Sequence, residues 1–129
     1  SDSVVNYGSN VKILSDHDTV AEADDTITNY GSIVTINGGK GADSISNNGT
    51  QVTINGEAGN DQISLGSGAA NNVIQYKSGE GNDTIYGFNA TSTLSISGAT
   101  YASMTSGNDA LILVGSNLIN LKYKCFRNL

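Results

Sequence analysis

The chain has 129 residues, 16 of them glycine, no proline or tryptophan, and only 14% charged side chains, a length that suits one domain with one modest core. Such a poverty of charge excludes a helical bundle, which draws heavily on Glu, Lys and Arg. Twelve acids face six bases, and Lys122, Lys124 and Arg127 hold half the positive charge in the last eight residues, so the rest of the chain repels phosphate backbones and anionic lipid and attracts cations.

Nucleic acid is therefore excluded as a partner. No apolar run reaches the roughly 18 residues of a membrane span. Opening on Ser1-Asp2-Ser3, the chain reads as a fragment or a processed product. The first element is a degenerate copy of a later one: Asn6-Tyr7-Gly8-Ser9, with Val11 and Ile13, recurs 23 residues on as Asn29-Tyr30-Gly31-Ser32 with Val34 and Ile36. Asp16-His17-Asp18 falls between them as a solvated insertion, because no second His and no cysteine partner completes a zinc set, nor is there a Ser/His/Asp arrangement.

From Asp25 the chain repeats itself. Asp25, Asp43 and Asp61 stand 18 residues apart, and Ile27, Ile45 and Ile63 keep the same spacing. After a four-residue insertion around residues 66 to 72, Asp83 and Ile85 continue the series at a spacing of 22. Apolar residues alternate within each unit, as in Val34-Thr35-Ile36 and Val52-Thr53-Ile54, which is strand periodicity with one face buried. Each unit reads as strand, turn, strand, turn: one coil of a parallel stack. Ile27, Ile45, Ile63 and Ile85 are expected to form one inner ladder, Val11, Val34, Val52 and Ile74 a second, and Ile13, Ile36, Ile54 and Tyr76 a third. The rival reading takes Asn37-Gly38, Asn48-Gly49 and Asn55-Gly56 as hairpin turns of an antiparallel meander. A meander needs no fixed period, which favours the coil.

One turn of each unit is rich in glycine and acid. Residues 38–46 (GGKGADSIS) match the calcium pattern G-G-x-G-x-D-x-U-x throughout, residues 56–64 depart only at the second glycine, and residues 78–86 only at the first. Calcium takes six to eight oxygens, and glycines let the backbone fold tightly enough to aim several carbonyls at one point. The opposite turns, at Asn29 to Ile33 and Asn47 to Gln51, contain no acid; there asparagine side chains are expected to ladder between coils, and Gly49 to matter only through its backbone angle.

At these residues the sequence resembles the RTX, or hemolysin-type calcium-binding, repeat family, whose fold is the parallel β-roll. The resemblance implies ions between successive turns. One site would use Gly39, Gly41, Asp43, Gly56, Ala58 and Asp61, and a second Glu57, Gly59, Asp61, Ser78, Glu80 and Asp83. A third would use Asp25 with Asp43, although Ala21 and Ala23 stand where glycines belong. It further implies an all-β chain, with roll repeats over residues 1–88 and an antiparallel cap and basic tail over 89–129. Leu94-Ser95-Ile96, Ser106 to Val114 and Leu118 to Leu121 supply the cap strands, with Gly115-Ser116-Asn117 as its last hairpin turn. The lone Cys125 can form no internal disulfide.

The expected function is calcium-induced folding in a secreted or cell-surface protein, as a structural, adhesive or secretion-associated module, and the resemblance implies type I export of the unfolded chain. Enzymatic coils carry paired carboxylates on a long face, whereas these acids are confined to turns, so the fragment itself is not read as an enzyme. The alternatives are a recognition module binding a host protein or glycan through the insertion and cap, and the C-terminal domain of a larger secreted enzyme or toxin.

Overall fold

The computed structural model describes residues 1–15, 22–106 and 109–122. The Asp16-His17-Asp18 insertion, Ala21 and the tail with Cys125 lie outside the described residues. In chain order the strands are β1 (Ser3–Asn6), β2 (Lys12–Leu14), β3 (Thr26–Asn29), β4 (Thr35–Lys40), β5 (Ser44–Asn47) and β6 (Thr53–Ala58). They continue as β7 (Gln62–Leu65), β8 (Val73–Lys77), β9 (Thr84–Tyr86), β10 (Thr93–Ser97), β11 (Tyr101–Ser106), β12 (Asp109–Val114) and β13 (Asn117–Lys122).

Each strand is too short to stand alone, and the chain solves this by stacking. One sheet has the order β1-β3-β5-β7-β9-β13-β12-β11 and the other β10-β8-β6-β4-β2, with every pairing among β1 to β10 parallel. Successive coils therefore lie in register, and the alternating isoleucines meet between the two sheets. Ile27, Ile45, Ile63 and Ile85 form one buried ladder, extended by Leu121 on β13. This is the parallel β-roll, with antiparallel pairing, among the described residues, confined to β11, β12 and β13.

The insertion corrects two of the expected ladders. Between β6 and β8 the register advances by 20 residues, pairing Ile54 with Ile74, whereas between β7 and β9 it advances by 22, pairing Ile63 with Ile85. Two extra residues thus precede β8 and two follow it. Ile74 stands over Ile54 rather than Val52, and Tyr76 falls beyond the Asn55–Gln75 pair, at the level of Gly56. Asn72 takes the place opposite Val52 and accepts that residue's N–H on Oδ1 at 2.9 Å. A slip of two residues preserves which side chains face inward, so the alternation in the sequence fits both registers equally.

Leu94-Ser95-Ile96, expected in the antiparallel cap, belongs to β10, which pairs parallel to β8 and extends the second sheet of the roll. The antiparallel part is the β11-β12-β13 meander, and β13 docks parallel on β9. Ile112, Val114, Ile119 and Leu121 join the core there, covering an end that would otherwise expose the ladders.

On the edge away from the acids the asparagines do ladder. Asn6 Nδ2 donates to Asn29 Oδ1 at 2.8 Å, and Asn29 Nδ2 to Asn47 Oδ1 at 2.7 Å. Each also closes its own turn, accepting the N–H of Gly8, Gly31 or Gly49 at 3.0 to 3.1 Å. Asn29 and Asn47 are fully buried, and the ladder satisfies polar groups that the roll removes from water. Leu65, paired with Asn47, ends it.

Candidate metal centre

The turns leading into β3, β5, β7 and β9 bring Asp25, Asp43, Asp61 and Asp83 into one column, all buried at 5% exposure or less. Burying four carboxylates in a row requires strong compensation. Part of it comes from the backbone: Asp25 Oδ1 accepts the N–H of Asp2 at 2.5 Å, Asp43 that of Asp25 at 2.8 Å, Asp61 that of Asp43 at 2.9 Å, and Asp83 that of Asp61 at 3.0 Å.

That compensation is incomplete. Asp61 Oδ2 is buried with no hydrogen-bond partner. Burial, opposed by the Asp43 N–H but reinforced by the charges of Asp83, Asp43 and Glu80, pushes the Asp61 carboxyl up from 3.8 to about 7. Asp83 is likewise raised to about 7, by burial and by Glu80 against the lowering effect of the Asp61 N–H.

Glycine makes the room. A Cβ on Gly56 would overlap Asp61 Oδ2, and one on Gly38 would stand 2.5 Å from Asp43 Oδ2. Among the described residues no three His, Cys, Asp or Glu side chains gather around one point. A cation on this edge must therefore draw on main-chain oxygens beside two carboxylates at most, which is the donor set of a hard ion.

The RTX calcium-binding nonapeptide repeat matches four times, over residues 22–49, 52–70 and 77–90. The chain carries RTX calcium-binding repeats. No curated protein matches it significantly. The crystal structure of extracellular lipase LipA from Serratia marcescens is similar in fold, with a TM-score of 0.66 at 20% identity over 84% of this chain. The chain spans 19% of that lipase's length.

The RTX turns are not equivalent. Between the second and third, Gly39 pairs with Glu57 and Lys40 with Ala58, and the Gly41 N–H donates to the Ala58 carbonyl at 2.9 Å. One turn on, the Gly59 N–H donates to the Glu80 carbonyl at 2.7 Å, so Glu80 is level with Ala58 as the spacing implies. Gly39, Gly41, Asp43, Gly56, Ala58 and Asp61 thus share two adjacent turns in register.

Around Asp83 the two residues inserted after β8 alter the turn. Ser78 does not stack over Gly56; it lies in a tight turn in which the Glu80 N–H donates to Lys77 O at 3.2 Å and its own N–H goes to Ser97 O at 2.9 Å. Glu80 Oε2 accepts the Lys77 N–H at 2.9 Å, drawing that carboxylate onto its own turn. Tyr76, at the level of Gly56, is buried and donates from Oη to the Gly81 carbonyl at 2.5 Å. Burial and the nearby Asp83 and Glu80 push its phenol up to about 12, so it remains a neutral donor.

Sequence reasoning placed Tyr76 in an inner ladder but missed its bond to the Gly81 carbonyl, and it missed a second amide ladder: Asn60 Oδ1 accepts the Asn82 N–H, and Asn82 Oδ1 accepts the Leu118 N–H, both at 2.8 Å. These bonds stitch the last RTX turn to the meander. The Asn60 and Asn82 columns share the 22-residue spacing of Asp61 and Asp83, and that was the available signal.

Proposed function

We propose that the chain is a calcium-controlled folding module of a secreted protein, in which the buried aspartate column keeps the roll unstable until cations enter it. The carrying observation is Asp61: a buried carboxylate with one oxygen unpartnered, aimed over a glycine and flanked by two further carboxylates. Bound calcium supplies positive charge between the turns. Asp43 and Asp61, with main-chain oxygens of Gly39, Gly41, Gly56 and Ala58, form the first site, and Asp61 and Asp83, with those of Glu57, Gly59 and Glu80, the second. Ser78, drawn away into its turn, contributes least. Asp25 and Asp43 form a third, weaker site.

Where calcium is scarce, the carboxylates hold the chain loose; outside the cell, the coils lock. That sequence of states suits export of an unfolded chain through a type I system and an adhesive or spacing role afterwards. Sites in extracellular modules have Kd of about 10⁻⁴ to 10⁻³ M. At roughly ten times Kd each independent site adds about 1.4 kcal/mol. Thermal melts in millimolar calcium and in excess EGTA test the reading: chelation lowers Tm by many degrees or abolishes the transition. An identical melt in EGTA would remove calcium from the account.

A further inference from the structure

Away from the acidic edge, the outward face of the first sheet holds an open cleft of about 480 Å³, lined chiefly by Ser46, Asn48, Ser64, Leu65, Tyr86 and Lys122. Strand register sets four of these side by side, since Ser46 pairs with Ser64, Ser64 with Tyr86, and Tyr86 with Lys122. The cleft exists for local reasons. Leu65 interrupts the asparagine ladder and gives an apolar floor, 5% exposed. β9 stops at Tyr86, where Gly87, at φ 75°, turns the chain away while its N–H donates to Lys122 O at 3.0 Å.

The chemistry of the lining is specific. The Ser46 and Ser64 hydroxyls and the Asn48 amide are bonded to no other described side chain or carbonyl, so donors and acceptors of both kinds face the opening. Tyr86, 40% exposed, offers a ring as one wall, with its hydroxyl 3.5 Å from Gln62 Nε2. Among the described residues Lys122 is the one charged lining residue, and Asp109 Oδ2 matches it at 2.9 Å. The described lining is therefore electrically neutral, polar and flanked by an aromatic face.

We propose that this cleft binds one pyranose ring of a neutral glycan, stacking the ring's C–H face on Tyr86 while Ser46, Ser64 and Asn48 hydrogen-bond its hydroxyls. An anion would find the only cation among the described lining residues already paired, and an apolar side chain would strand three polar groups without partners. A neutral polyhydroxylated ring satisfies both the ring and the polar groups, and the volume lies within the range of small-molecule sites.

The site uses none of the acidic-edge residues, so its failure and that of the calcium reading separate cleanly. Saturation-transfer NMR and calorimetry on the chain folded in calcium would use methyl β-glucoside, methyl β-galactoside and N-acetylglucosamine as probes. At least one is expected to bind with Kd of millimolar order or tighter. Tyr86→Ala and the double variant Ser46→Ala/Ser64→Ala should each weaken that binding about tenfold or more. Tyr86→Phe and the distant Tyr101→Ala should leave it within a few-fold. The double variant removes only two surface hydroxyls and decides the matter should Tyr86→Ala fail to fold. No saturable binding by any probe up to about 10 mM overturns the proposal. So does unchanged binding in variants that melt like the parent, or a preference for glucuronic acid over the glucoside.

Discussion

Two demands meet at Asp61, because Oδ1 accepts the Asp43 N–H while Oδ2 is buried without a partner. Asparagine at this position keeps the acceptor and deletes the charge. Asp61→Asn is therefore expected to raise Tm in EGTA near pH 8, where relief of charge outweighs one unsatisfied amide, and to lower it in calcium. It should also cost more bound calcium than Asp83→Asn, since Asp61 lies in two proposed sites; equal losses by calorimetry would refute the shared assignment. The pH dependence follows from the same carboxyl, which titrates near 3.8 when unfolded and about 7 when folded. Below the lower value both states are protonated and nothing is lost. Between the two the folded chain holds a proton that the unfolded chain has released, so stability falls as pH rises, by roughly 4 kcal/mol for one such group once past the upper value. Calcium-free melts should accordingly drop in Tm from about pH 5 to pH 8. In calcium the drop should shrink, because ion binding displaces the proton and is favoured at higher pH; a flat profile in EGTA would show that buried charge does not limit the apo roll. Gly56→Ala should be severely destabilising, since its Cβ must displace the Asp61 carboxylate.

Among the elements, the asparagine ladder offers a contrast with the acidic edge. Asn47→Ala removes the acceptor for the Asn29 amide and for the Gly49 N–H and should cost about 2 to 4 kcal/mol without changing calcium stoichiometry. A melt and a titration on the same variant check both halves of that statement. Gly49 itself was expected to need glycine only for its backbone angle, yet its Cβ would run into the Gly31 carbonyl of the neighbouring coil. Gly49→Ala should therefore destabilise the roll much as Gly41→Ala does, whose Cβ would meet the Ala23 carbonyl, and only the second should also weaken calcium binding. The coil, its inner face and the acidic column were legible because Asp43, Asp61, Ile45 and Ile63 repeat in phase. The register of β8 was not, because a two-residue slip leaves Ile74 and Tyr76 facing inward either way. Nor was the parallel pairing of β10: Leu94 and Ile96 alternate identically in a roll strand and in a hairpin strand, and only the stacking of Thr93 to Ser97 on Val73 to Lys77 separates the two. Tyr76→Phe tests the consequence: losing the bond to the Gly81 carbonyl should cost about 1 kcal/mol and loosen the turn before Asp83.

For the whole molecule, the buried aspartate column has a sense of direction. Asp83 holds the backbone of Asp61, Asp61 that of Asp43, Asp43 that of Asp25 and Asp25 that of Asp2, so each aspartate of the buried column serves the turn before its own, while outside the column Asp24 Oδ1 accepts the Ala42 N–H of the turn after at 2.8 Å. At the far end, Asn82 receives the Leu118 N–H and β13 lies on β9, anchoring the last turn to the meander. With one end anchored, order is expected to spread from the C-terminal end toward the N-terminal one, like a zip with its stop at one end. Amide hydrogen exchange in limiting calcium should show protection that is highest at β9 and β13 and decays coil by coil toward β1. Removing residues 1 to 22 should leave the later turns folded, whereas removing β11 to β13 should unfasten the column from Asp83 backward. A roll anchored this way is expected to become rigid from its capped end first, with its opening coil the last to settle.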